Sequence, residues 1–197
     1  AHLDFLPEGG AMRQGADFSV TSVHKALMGY SQTAVVSMRG DLLPHSTLDR
    51  WVDLTTTTSP SGTLMATIDG TRAAMERDGA ARLAVLMEAV EQARRRLAQV
   101  RGLVVLDDAT AGCRVDPMKL PLIPPGTRAD GAVLGEALFQ LGHGPEAADH
   151  DTLVLTVTVA DEPEWVLEFA ELLAALIDAH RGEARPSSPL AVWRVEP

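Results

Sequence analysis

The sequence has 197 residues, of which 46% are hydrophobic and 4% aromatic, and it carries a formal net charge of −10. This charge argues against a basic groove for nucleic acid, and the residue mixture is ordinary for a globular protein with an aliphatic core. No run of about 18 apolar residues occurs, so no membrane span is expected. Cys113 is the single cysteine, which excludes an internal disulfide and favours a reducing cytoplasm.

The amino-terminal half is predicted to begin with a loop or short helix, followed by two short strands and two helices. The polar, β-branched run T-T-T-T-S-P-S-G between the helices cannot form a buried helix. The predicted elements are residues 17–23 (strand), 33–38 (strand), 44–54 (helix) and 62–76 (helix).

A long amphipathic helix is predicted to end near Gly102, a residue typical of helix C-termini. Its apolar residues recur at steps of three and four and form one stripe: Leu83, Leu86, Val90, Ala93, Leu97 and Val100. The run Arg94-Arg95-Arg96 lies on the other face and indicates a solvated surface. Because three heptads are too few for a coiled coil, packing on a sheet or bridging two lobes is favoured.

The carboxy-terminal half is predicted to contain a small sheet covered by two helices. A helix begins at Asp161, with Pro163 tolerated in its first turn, and Gly182 closes it. The other predicted elements are residues 103–106 (strand), 118–123 (strand), 129–141 (helix) and 153–159 (strand). The order of elements predicts the α/β fold class.

One short motif carries chemistry, namely Ser22-Val23-His24-Lys25, directly after a predicted strand. Ligand sites of α/β proteins lie at the ends of strands. A lysine amine there can condense with an aldehyde, provided that burial or a nearby cation keeps it partly deprotonated. Taken alone, the four residues favour an ordinary surface lysine.

The wider context resembles a known family. Residues 15–34, G-A-D-F-S-V-T-S-V-H-K-A-L-M-G-Y-S-Q-T-A, resemble the cofactor-lysine block of the ornithine/lysine/arginine decarboxylases, which use pyridoxal 5'-phosphate (PLP). Residues 56–61, T-T-T-S-P-S, are similar to the family's T-T-S-[PT]-S segment. Residues 116–120, D-P-M-K-L, are similar to its D-P-T-[KR]-L segment. The resemblance covers roughly residues 1–160 and is most specific in the first third.

The resemblance implies the aspartate-aminotransferase-like fold, PLP fold type I. Residues 1–101 would then be the carboxy-terminal part of the large PLP-binding domain, including the bridging helix. Residues 102–184 would form a small α+β domain, and residues 185–197 an extended tail. A homodimer or a higher homo-oligomer is also implied.

The resemblance further implies roles for four residues. Lys25 would bond to the cofactor aldehyde, Ser22 would contact the cofactor phosphate, and His24 would line the pocket. Thr57 would reach the cofactor of the neighbouring subunit, although a plain turn before the next helix is an equal alternative. The expected reaction is PLP-dependent α-decarboxylation of arginine, lysine or ornithine to a polyamine-pathway amine, with Lys25 or His24 returning the proton.

The start of the sequence resembles the end of the family's D-E-A-H-G motif, with His2 at the histidine. The aspartate of that motif pairs with the pyridine nitrogen, and neither it nor the phosphate loop occurs here. The chain is therefore expected to be the carboxy-terminal part of a longer enzyme, weak in PLP binding and inactive by itself. Asp4 and Glu8 are candidates for binding a cationic substrate side chain, with plain surface charge favoured for both.

Two alternatives remain open. The first is another PLP enzyme of fold type I, an aminotransferase or a desulfurase; the desulfurase would need Cys113 on a mobile loop. The second is a catalytically inactive dimerisation module. The histidines His45, His143, His150 and His180 lack the spacing of metal ligands, so no metal site is predicted.

Overall fold

The computed structural model describes residues 2–6, 9–40 and 42–182, and the chain divides into two compact units. The division falls after Leu86, and the segment Thr158–Asp161 belongs with the first unit. The predicted tail, residues 185–197, lies outside the described residues. No helix in the described ranges is long and apolar enough to cross a membrane.

The first unit contains a two-stranded antiparallel sheet and a series of helices. In chain order its elements are a 3-10 helix (His2–Phe5), strands β1 (Phe18–Ser22) and β2 (Ala34–Met38), helices α1 (His45–Thr55) and α2 (Gly62–Ala74), a π-helical turn (Met75–Gly79) and the start of helix α3 (Ala80–Leu97). Phe18 pairs with Met38 and Ser22 with Ala34. The predicted strands and the first helix are confirmed to within one or two residues.

The prediction of separate helices at residues 62–76 and 83–100 is wrong, because α2 and α3 continue into each other through the π-helical turn. Buried residues follow at four-residue steps, namely Thr71, Met75, Gly79 and Leu83. In a straight α-helix, Leu83 would be rotated by about 120° from Thr71. The extra residue of the π-helical turn reduces this rotation to about 20°, which keeps the four residues on one face.

The second unit contains a four-stranded antiparallel sheet with the strand order β3-β4-β6-β5. Its strands are β3 (Val104–Val105), β4 (Lys119–Ile123), β5 (Ala147–Ala148) and β6 (Leu153–Thr156). Its helices, besides the end of α3, are α4 (Asp108–Ala111), α5 (Gly131–Gln140) and α6 (Pro163–Ala179). The short elements β5 and α4, of two and four residues, were not predicted from the sequence.

Alternating burial shows why these strands form. Leucines on one face of β4 and β6 are buried, and each contributes about 1.5–3 kcal/mol of hydrophobic stabilisation. Helix α5 packs on β5 and β6. The buried leucines and isoleucine that α5 and α6 add to the core are Leu134, Leu138, Leu173 and Ile177. The predicted mixture of helix and sheet is confirmed, and both described sheets are antiparallel.

Strand β6 ends earlier than predicted, at Thr156 instead of residue 159. The Val157 amide donates to the carbonyl of Met118 at 2.8 Å, at the margin of the sheet. The chain then leaves the sheet, and Val159 is buried in the first unit instead. The buried residues of the alternating run 153–159 are therefore divided between two cores: those up to Val157 belong to the second unit and Val159 to the first.

Candidate functional site

Strand β1 ends at Ser22, the first residue of the predicted motif, and Ser22 is half-buried. The next residue, Val23, is only 4% exposed. Its amide donates to the carbonyl of Thr33 at 2.9 Å, and its carbonyl accepts from the Gly29 amide at 3.2 Å. Thr33 is buried in turn, and its hydroxyl donates to the carbonyl of Tyr30 at 2.7 Å. The loop after β1 is thus closed by hydrogen bonds at its base.

His24 is half-buried and is oriented by the same carbonyl. Its Nδ1 lies 2.8 Å from the oxygen of Thr33. A carbonyl oxygen only accepts, so Nδ1 carries the proton of this hydrogen bond. In the neutral imidazole, Nε2 is then the nitrogen that can accept a proton, and Nδ1 is not.

Lys25 is exposed, and its side chain makes no hydrogen bond or ion pair with any residue that the structure describes. The next residue, Ala26, is buried, and its carbonyl accepts from the Val159 amide at 3.4 Å. The amine therefore projects from a turn whose backbone is anchored on both sides. Within the described part of the chain, burial affects the neighbours of Lys25 and not the amine itself.

These side chains match the chemical requirements of PLP. An accessible amine can condense with the aldehyde, and a hydroxyl can donate to the phosphate. The Ser22 hydroxyl, like the Lys25 amine, has no partner among the described residues. The donor set at the end of β1 thus fits the cofactor, with His24 as the neighbouring ring.

Thr57 lies in the exposed segment between α1 and α2. Its hydroxyl accepts from the Ser59 amide at 3.2 Å, and Ser61 caps α2 by accepting from the Leu64 amide at 3.4 Å. Among the described residues, no hydrogen bond joins Thr57 to the end of β1. This geometry is a turn before a helix, and the role of Thr57 towards a second subunit stays a prediction.

The other candidates occupy varied environments. His2 is buried in the 3-10 helix, and the Asp4 carboxylate accepts from the hydroxyl of Thr21 at 3.4 Å. Glu8 lies outside the described residues. Cys113 is exposed and belongs to the second unit. Among the residues described, no group of His, Cys, Asp or Glu is arranged to hold a metal ion.

Sequence reasoning missed the residues that hold the loop in place. Thr33 binds both Val23 and His24 through its carbonyl, and its position in the Q-T-A segment was the available sign. Val159 binds Ala26 from a distant part of the chain. No sequence pattern points to that contact, because Val159 continues the alternation of a strand in the second unit.

Curated arginine decarboxylases resemble the chain in sequence. It is 31% identical to the enzyme of Bacillus subtilis over 125 residues, which is 60% of this chain and 26% of that enzyme. It is 25% identical to the enzyme of Halalkalibacterium halodurans over 190 residues, which is 93% of this chain and 38% of that enzyme. The chain thus spans between about a quarter and two fifths of the length of these relatives.

Solved structures resemble it in fold. A lysine decarboxylase of Francisella novicida superposes with a TM-score of 0.68 at 19% identity, covering 80% of this chain and 27% of that one. The constitutive lysine decarboxylase of E. coli superposes with a TM-score of 0.59 at 16% identity, again covering 80% of this chain and 27% of that one. At these identities the similarity shows a shared fold.

The family profile described as "Orn/Lys/Arg decarboxylase, major domain" matches residues 5–138, more than half of the sequence. This range contains the loop after β1, with Ser22, His24 and Lys25. The match also agrees with the two sequence relatives and with the two shared folds. The chain therefore belongs to the ornithine/lysine/arginine decarboxylase family.

Proposed function

We propose that this chain supplies the cofactor lysine, Lys25, of a PLP-dependent decarboxylase that acts on a basic amino acid. The observation that carries the proposal is the accessible, unpartnered Lys25 amine on a turn anchored by Val23 and Ala26. Family membership supports the reaction class. The curated relatives are named arginine decarboxylases, so arginine is the first substrate to test.

Bound PLP would supply the electron-withdrawing group that makes loss of carbon dioxide from the α-carbon feasible. Lys25 would hold the cofactor aldehyde covalently until the substrate amine displaces it. Ser22 would donate a hydrogen bond to the phosphate. His24, fixed through Nδ1 by the Thr33 carbonyl, would present its ring to the pocket. Either the released Lys25 amine or Nε2 of His24 would return a proton to the α-carbon.

We also propose that the protein has PLP fold type I and forms a homodimer. Residues 1–101 would be part of the large domain, residues 102–184 the small domain and residues 185–197 a tail. The protein would lie in the cytoplasm and act in polyamine synthesis. Since the matches cover 26% and 38% of the curated relatives, we propose that the 197 residues alone bind PLP weakly and do not turn over substrate.

Covalent labelling tests the proposal directly. PLP is added to the full-length protein, where the amine condenses with the aldehyde with loss of water. Borohydride then reduces the new C=N bond to a stable secondary amine, which peptide mass spectrometry locates. The sequence contains two lysines, Lys25 and Lys119, and Lys119 pairs with Glu146 at 2.5 Å. We expect the adduct on Lys25.

The outcomes separate the alternatives. Carbon dioxide release from arginine, lysine or ornithine supports the decarboxylase. Transfer of the amino group to a keto acid without carbon dioxide indicates an aminotransferase, and sulfide release from cysteine indicates a desulfurase. A folded protein that gains no adduct on Lys25 contradicts the proposal and leaves the inactive dimerisation module.

Ser22→Ala is expected to raise the dissociation constant for PLP by about tenfold or more, because a hydrogen bond to a charged phosphate is lost. The constant is measured by spectroscopic titration of the full-length protein. Pyridoxal, which has no phosphate, should bind wild type and variant equally. Ser19→Ala is the matched control, since side chains alternate along β1 and Ser19 faces the other side. Equal weakening of PLP and pyridoxal would contradict the role of Ser22.

A further inference from the structure

The segment Thr158–Asp161 is a closed turn that packs beside the loop carrying Lys25 within the first unit. The Asp161 carboxylate accepts from the Thr158 amide at 2.7 Å and from the Thr158 hydroxyl at 2.9 Å. The Asp161 amide returns a hydrogen bond to the Thr158 carbonyl at 3.2 Å. Three hydrogen bonds within four residues give this turn a defined shape. Val159 is 1% exposed and is part of the core of the first unit, whereas Ala160 is exposed.

Arg82, on helix α3, donates two hydrogen bonds to the backbone of this turn. Its Nε donates to the carbonyl of Val159, and one terminal nitrogen donates to the carbonyl of Asp161 at 3.0 Å. Two donors from one planar guanidinium fix both the position and the direction of the backbone that they bind. The hydrogen-bonded residues are 77 and 79 positions apart in sequence, so the contact is purely tertiary.

The position of Arg82 is itself rigid. It follows the π-helical turn by three residues and precedes Leu83, which is fully buried. The π-helical turn determines how this part of α3 is rotated relative to α2. The guanidinium therefore extends from a helix that cannot turn without exposing Leu83 and Leu86 to water.

A continuous path leads from Arg82 to the amine. Arg82 binds the Val159 carbonyl, the Val159 amide binds the Ala26 carbonyl, and Ala26 follows Lys25. Since the Lys25 side chain has no partner among the described residues, its direction depends on the backbone of its turn. Precise placement of a reacting amine raises the reaction rate, because the amine loses less orientational freedom when it reaches the reactive geometry.

We propose that Arg82 is a positioning residue for Lys25, acting through the Thr158–Asp161 turn; this rests on the proposed role of Lys25 as the cofactor lysine. Arg82 holds the Val159 amide where it anchors Ala26. Removing the guanidinium loosens one of the two anchors of the lysine turn. The other anchor, from Val23 to Thr33, remains in place.

The test compares Arg82→Met, Arg82→Lys and wild type in the full-length protein, at a temperature where all are folded. Methionine keeps much of the length and removes every donor. We expect Arg82→Met to slow PLP labelling of Lys25 by about tenfold, as for the loss of charge-assisted hydrogen bonds. Labelling of Lys119 in the same sample should not change. Arg82→Lys, which keeps a cationic donor, should restore part of the rate.

Arg77→Met is the matched control, because Arg77 lies on the same helical stretch, is exposed and pairs with Asp78 at 2.6 Å. It should label at the wild-type rate. Amide hydrogen exchange of peptides covering Val159 provides a second readout, and exchange there should be faster in Arg82→Met than in wild type or Arg77→Met. A general loss of structure would instead alter Lys25 and Lys119 together.

The outcomes are distinct from those of the proposed function. If wild type gains no adduct on Lys25, the proposed function fails whatever Arg82 does. If wild type is labelled and Arg82→Met is labelled equally fast, the positioning role is wrong and the cofactor lysine stands. Should Arg82→Met not fold, Arg82→Gln replaces it, with the same requirement that Lys25 reacts more slowly than in wild type while Lys119 does not.

Discussion

Replacing Lys25 with alanine is expected to abolish covalent PLP labelling and to reduce decarboxylation in the full-length protein by about 10³-fold or more. The variant loses the amine that would bond to the cofactor and one of the two candidates for the returning proton. Lys25 is exposed and has no partner among the described residues, so its removal should leave stability nearly unchanged. Activity is measured as carbon dioxide release, and folding by thermal unfolding.

Two comparison variants make the Lys25→Ala result specific. Lys25→Arg keeps the positive charge and much of the length, but a guanidinium stays protonated and cannot condense with the aldehyde. It should be as inactive as the alanine variant. Lys119→Ala removes the other lysine of the sequence and its ion pair with Glu146, a contact worth about 0–1 kcal/mol at a surface. It should keep both labelling and activity.

An active Lys25→Arg variant would show that the charge of this residue matters and the amine does not. An adduct that moved to Lys119 in Lys25→Ala would show that PLP reacts with any accessible lysine. Either result would contradict the proposed role of the turn after β1. Loss of labelling in Lys25→Ala with retained decarboxylation would place the cofactor elsewhere in the protein.

Replacing Gly102 with alanine is expected to destabilise the second unit by about 2–5 kcal/mol, from left-handed backbone strain and overpacking. Gly102 has a φ of +87°, and an added Cβ would lie 2.0 Å from the Gly126 carbonyl oxygen and 2.9 Å from the Thr127 nitrogen. Both atoms are backbone, so a rotamer change cannot relieve the contact. The free energy of unfolding is measured with denaturant.

Gly142→Ala separates the two causes. Gly142 has nearly the same φ, +84°, but an added Cβ would meet nothing within 4 Å. Its replacement should cost only the left-handed strain, about 1–2 kcal/mol. Equal costs at Gly102 and Gly142 would show that the close approach to Gly126 does not matter. The larger loss at Gly102 would show that two backbone segments meet there.

The sequence located most elements because their patterns are local. Steps of three and four in residues 83–97 indicated a helix, and alternation in residues 153–156 indicated a strand. Gly102 was expected to end the long helix, whereas α3 ends at Leu97 and Gly102 lies in the turn beyond it. Gly102 correctly indicated that a helix ends nearby, since its positive φ favours glycine. The sequence did not show that it lies five residues beyond the last residue of α3.

The candidate site could likewise be predicted only in part. The motif Ser22-Val23-His24-Lys25 was visible because a short run of residue types carries it, and its position at the end of a strand is confirmed, since β1 ends at Ser22. The Thr33 carbonyl that orients His24 was not visible, since backbone atoms are the same in every residue. The motif by itself did not decide whether the Lys25 amine is buried or exposed, because burial depends on what packs around a turn, and the structure shows it exposed.

By itself the sequence determined the helix and strand periods and the family of the chain, and it located the motif that contains the proposed cofactor lysine. Three features became visible only in the tertiary structure. They are the π-helical turn, the burial of Val159 in the first unit and the hydrogen bond from Arg82 to the Val159 carbonyl. Periodicity reports which face of one element is apolar, over a few turns. It does not report which distant backbone carbonyl meets that face, because this depends on the path of the whole chain.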